Sequence, residues 1–93
     1  MLLGVWALSM SAQSQNESES LSKDQAKALR DSLAQATEVL AYYPDSIDLR
    51  LKKAAWNIQL KQWQYAKDDL DKVLFLNNTN IAGLFYRAYV NEQ

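Results

Sequence analysis

The chain has no cysteine and no histidine among its 93 residues. That excludes disulfides, thiol nucleophiles, thiolate or imidazole metal sites and any catalytic triad built on histidine. Charge of one sign is not in surplus either. Ten basic residues face eleven acidic ones, a formal net charge of −1, so no broad basic surface exists to attract nucleic acid. Lys52-Lys53 is the sole basic doublet and reads as part of a solvated helix face. Long apolar runs are missing as well. The longest, LLGVWALSM at residues 2–10, falls well short of the about 20 residues that a stable membrane span needs. What remains is 48% apolar and 23% charged, ordinary usage for one small globular domain.

The apolar run at residues 2–10 suits the centre of a secretory signal, with the small residues Ser9, Ser11 and Ala12 near a cleavage point. Residues 1–12 are therefore expected to be a signal, and the protein to be exported to the periplasm or cell envelope. The positive residues that usually precede such a run are absent. The alternative is a frayed apolar N-terminal helix in a cytoplasmic protein. Residues 13–21, beginning QSQNESES, have linker chemistry, too polar to offset the entropy of ordering.

Structure is expected from Ser22 to Gln93. Ser22 and Gln25 have the spacing of a capping box. Ala26, Leu29, Leu33, Ala36, Leu40 and Tyr43 then recur at steps of three and four, one apolar stripe on a long helix. Pro44, the only proline, stops it. Asp45 and Ser46 can cap a second helix, whose apolar residues lie on two sides, as in a helix sandwiched between neighbours. After a tight connection at residues 61–62, a third helix carries Trp63, Ala66, Leu70, Val73 and Leu74 on one face. On its other face Lys67 and Asp71, and Asp68 and Lys72, are spaced for weak pairing along the helix. NNTN at residues 77–80 is a turn and cap before a fourth helix from about Ile81. No segment alternates as a strand would. The expected fold is all-α and antiparallel, with short loops.

Residues 36–59 laid over 70–93 match at Val39/Val73, Leu40/Leu74, Ile47/Ile81, Ala54/Ala88, Asn57/Asn91 and Gln59/Gln93, an offset of 34. Such a period marks a helix–turn–helix solenoid. On these residues the chain resembles the tetratricopeptide repeat family. One full unit spans residues 47–80, with half units before and after it. Ala54 and Ala66 fall on the family's two small positions, Trp63 on the aromatic before the second, and Leu70 and Val73 on the second helix's apolar pattern. Pro44 stands where the family often closes a unit. Small side chains let helices cross at close range, and a Leu at Ala54 or Ala66 would overpack at a cost of about 1–3 kcal/mol. Four positions depart from the pattern. Arg50 replaces a bulky aromatic, Lys53 a Leu, Asn57 a Tyr and Asn78 the closing Pro.

The resemblance implies a non-catalytic scaffold that holds a peptide or partner protein in a concave groove. Carried over by register, the lining would be Asp48, Lys52, Ala55, Gln59, Tyr86 and Tyr89. The tyrosines could instead pack against the next repeat. The family's clamp for a C-terminal carboxylate is not implied, because Leu51, Ala55 and Tyr86 occupy its places. A second reading is a structural module that self-associates through residues 81–93, whose LFYRAYV is apolar around much of its circumference. No catalytic residue, metal or cofactor is expected. Asp68, Asp69 and Asp71 are flanked by Lys67 and Lys72 and read as a solvated face. Trp56 and Trp63 read as filling between helices.

Overall fold

The computed structural model describes residues 21–93. The expected signal, and the linker up to residue 20, lie outside the described residues. Four helices follow in order: α1 (Lys23–Tyr42), α2 (Ile47–Gln59), α3 (Trp63–Leu76) and α4 (Ile81–Asn91). The described residues contain no strand, so the fold is all-helical. No described helix is long and apolar enough to cross a membrane.

Each helix begins and ends for a local reason. At the start of α1 the capping box closes in both directions. The Gln25 backbone N–H donates to Ser22 Oγ at 3.1 Å, and the Ser22 N–H donates to Gln25 Oε1 at 3.1 Å. At its end Tyr43 leaves helical geometry at φ −130°, ψ 68°, as a residue before proline must. Tyr43 was expected on the apolar stripe, but this extended exit turns it outward and leaves it 68% exposed.

The 34-residue offset seen in the sequence recurs in the backbone. Helices α1 and α3 end 34 residues apart, and α2 and α4 begin 34 residues apart. In the α1–α2 turn, the Ser46 N–H donates to Tyr43 O at 3.2 Å; in the α3–α4 turn, the Asn80 N–H donates to Asn77 O at the same distance. Ser46 and Asn80 then act as matching N-caps, their side-chain oxygens accepting from the N–H groups of Leu49 and Gly83.

The α2–α3 turn is tighter. Gln62 N–H donates to Asn57 O at 2.8 Å and Lys61 N–H to Ile58 O at 2.9 Å. These are the two bonds of a Schellman ending. They hold Lys61 at φ 58°, a left-handed conformation that a residue with a Cβ adopts at a cost.

Helix α2 is the hub. It packs against α1, α3 and α4, while α3 also packs against α4 and, among the described helices, α1 rests on α2 alone. The central cluster joins Ala54, Ala66, Leu70 and Val90, with Leu51, Ile58, Trp63 and Tyr86 packed around it. Ala54 and Ala66 are both 0% exposed, as expected of residues at a close helix crossing. Gly83 makes the α3–α4 contact close too. A Cβ added there would lie 3.0 Å from Val73 Cγ1 and 3.3 Å from Leu74 Cδ2.

The Lys61 conformation has a measurable consequence. Lys61→Gly is expected to raise stability by about 1 kcal/mol, and Lys61→Val to lower it by at least as much. Urea unfolding followed by circular dichroism measures both; unchanged midpoints would show the turn to be unstrained.

Candidate functional site

Helix α2 presents different chemistry on different sides. Asp48, Lys52, Ala55 and Gln59 follow one another at steps of four, three and four, so they share one stripe. Asp48, Lys52 and Gln59 are exposed and Ala55 is half-buried. This is the α2 part of the expected groove. Of the α4 part, Tyr86 is half-buried and packs against the central cluster. Tyr89 stands edge-on to Trp63, ring centroids 6.2 Å apart. Both tyrosine rings therefore take part in packing within the chain, and Tyr89 keeps an exposed edge. Trp63 joins the packing around the core, and Trp56 is half-buried.

The side of α2 that faces α3 carries the family departures. Arg50 and Lys53 converge on Asp69, which is only 3% exposed. Arg50 Nη1 donates to Asp69 Oδ1 at 3.1 Å, and Lys53 Nζ stands 3.2 Å from Oδ2. The second contact is an ion pair without hydrogen-bond alignment, since Oδ2 has no aligned donor. Arg50 Nε also donates to the Pro44 carbonyl at 2.8 Å. One guanidinium thus ties the α1–α2 turn to α3, using the planar fork that lysine lacks.

This corrects the reading of the acidic run. Asp68 and Asp71 are exposed, but Asp69 lies inside. Among the described residues no group of three acidic side chains is placed to hold a metal ion. The pairing expected along α3 is also replaced by other contacts. Asp71 takes Arg87 of α4 at 2.7 Å, and Lys72 takes Asp45 of the α1–α2 turn at 3.5 Å while its ammonium lies 5.5 Å from the Phe75 ring centroid. Asp68 accepts from Gln64 Nε2 at 2.9 Å.

Two further surfaces stand apart from the groove, the first not legible beforehand and the second the apolar fourth helix expected from the sequence. A cleft of about 240 Å³ opens between the first half of α1 and the end of α2, lined by Leu21, Gln25, Ala28, Leu29, Ser32 and Gln59. Of the expected groove residues, Gln59 alone reaches it. On α4, Ile81, Leu84, Phe85 and Ala88 form an exposed stripe, with Ile81 83% and Phe85 69% exposed. Ala88, the repeat partner of buried Ala54, is exposed because no described helix covers this side of α4.

No protein-family model, curated protein or solved structure matches the chain.

The Asp69 clamp distinguishes charge pairing from packing. Asp69→Ala is expected to destabilise by about 3 kcal/mol, because it leaves two cations facing the core without their counter-ion. Replacing Arg50, Lys53 and Asp69 together by Leu is expected to cost under about 1 kcal/mol or to stabilise. Denaturant unfolding of the single and triple variants checks this; equal losses would mean that the clamp only fills space.

Proposed function

We propose that the chain is a non-catalytic scaffold of the tetratricopeptide kind, binding a peptide or partner protein along the concave side formed by its first-type helices, α2 and α4. One observation carries this reading: the 34-residue offset recurs as matched helix ends, matched N-caps and matched turn hydrogen bonds. Contact between α2 and α4 fits a stack in which first helices lie side by side. The small crossing residues Ala54 and Ala66 and the apolar Leu70 and Val73 hold the expected interior places.

On this reading the ligand meets Asp48, Lys52, Ala55 and Gln59 on α2 and the free edge of Tyr89 on α4. Opposite charges one turn apart, beside an aromatic ring, suit an extended peptide with polar and apolar side chains. The N-terminal apolar run supports export, which places the scaffold in the periplasm or cell envelope. Self-association through α4 is a second reading, favoured by the exposure of Ile81 and Phe85.

Exchange of Asp48 and Lys52 (Asp48→Lys with Lys52→Asp) tests the groove without altering net charge. Peptides selected from a random displayed library on the native chain should bind the exchanged chain at least about tenfold more weakly, a loss of about 1.4 kcal/mol. The unfolding midpoint should not move, since both side chains are exposed. Isothermal titration reads the affinity. Equal binding to the two chains, or failure to select any peptide, would remove the groove from consideration.

A further inference from the structure

The bare stripe of α4 and the open cleft beside α1 are complementary, and the chain's own α2–α3 interface shows how they would fit. Shifted by 34 residues, α4 corresponds to α2 and α1 to α3. In the complete pair, α3 covers the side of α2 that holds Leu51 and Ala54. The corresponding side of α4 holds Phe85 and Ala88, both exposed. The α3 residues in the cluster of the pair are Trp63, Ala66 and Leu70; their counterparts on α1 are Leu29, Ser32 and Ala36. Leu29 and Ser32 line the open cleft, Ala36 is already buried, and Val39 beyond it is an exposed β-branched apolar residue. Described residues thus include a first helix lacking its second and a second helix lacking its first.

We propose that α4 of one copy docks on α1 of the next, head to tail, so that the two half units complete one repeat across the contact. This rests on the repeat reading above and not on the groove. The chemistry at the crossing itself is compatible. The crossing keeps small side chains, Ala88 and Ser32 standing where Ala54 and Ala66 stand. Two of the three charged positions of the clamp become neutral, while Glu92 at the end of α4 enters in the place of half-buried Ile58. The position of Asp69 becomes Gln35, and that of Arg50 becomes Leu84. Arg87, in the place of Lys53, already has Asp71 as its partner. The α2 residues that meet α3 in the complete pair are Leu51, Ala54 and Ile58, so Phe85 and Ala88 are the α4 residues that would meet the cleft wall at Leu29 and Ser32. Because the two surfaces differ, the contact is heterologous and does not close on itself in a pair.

Sedimentation equilibrium of the full chain over a wide concentration range tests this with two substitutions. Ala88→Arg blocks the α4 surface at an exposed position; Ser32→Arg blocks the α1 surface at the cleft. Val39→Lys is a second α1 variant if Ser32→Arg unfolds, and circular dichroism reports folding. The native chain should gain mass with concentration without a dimer plateau. Each variant alone should stay monomeric. An equimolar mixture should reach twice the monomer mass and stop, since one variant keeps α1 and the other keeps α4. A native chain that is monomeric throughout overturns the proposal, and capture of peptides by that monomer would leave the groove reading standing. Association that survives the α1 substitutions overturns it too, as does a dimer sensitive only to Ala88→Arg, which would be a symmetric α4–α4 contact.

Discussion

Everything in this fold is hung on the crossing of α2 and α3. Ala54 and Ala66 have no exposed surface, which requires side chains that do not hold the two backbones apart. Leu70 joins the same cluster and Val73 lies against Gly83 of α4; both are fully buried, worth about 1.5–3 kcal/mol apiece in apolar burial. The outer helices depend on the α2–α3 pair. Among the described helices α1 touches α2 alone, and α4 lies against α3 and α2. Of the twenty residues of α1 only Ala36 and Leu40 are buried. Its first half therefore belongs to the low-stability end of the molecule, where local opening is cheapest.

The crossing is apolar on one side and ionic on the other. Arg50, Lys53 and Asn57 stand where the resembled family uses large apolar side chains, and the cost of desolvating two cations and a carboxylate offsets much of their attraction. What the clamp adds is geometry. Arg50 reaches Asp69 on α3 and the Pro44 carbonyl in the preceding turn. A slide of α2 along α3 by one turn would break the bond to Asp69, whereas apolar packing alone tolerates such a shift more readily. The first turn and the third helix are thereby held in one register through a single side chain of α2.

Helix positions were legible because their causes are local. A capping box, a lone proline and an asparagine-rich turn act through neighbours in the chain, and each sits where its spacing implied. The crossing alanines were legible through the repeat. Asp69 was not, because a run of three acidic residues within four positions reads as solvated. A signal was present all the same. Ala66, Asp69, Leu70 and Val73 have the spacing of one buried stripe, and three polar departures on α2 called for a counter-charge opposite. The pairs expected along α3 failed for a related reason: contacts four residues apart are weak, and partners from other elements, Arg87 and Asp45, displaced them. Gly83 gave no signal, because the neighbour that requires it, Val73, is set by tertiary packing. Tyr43 was misplaced because the stripe was carried one residue past the point where proline forces the chain to turn.

The two surface readings, groove and stacking, are physically linked. On the groove reading the lining comes from two helices of 13 and 11 residues, a short stretch beside the roughly 1,200–2,000 Å² total that stable protein contacts usually bury. A ligand held there alone would exchange quickly. Stacking of copies through α4 and α1 would set the lining of one chain beside that of the next with the same step that relates α2 to α4. A ligand long enough to meet two copies would then find its second contact at high effective concentration. Affinity would rise with assembly without any change in the lining residues, and a ligand spanning the junction would in turn favour the stacked state, because coupling between two binding equilibria is reciprocal.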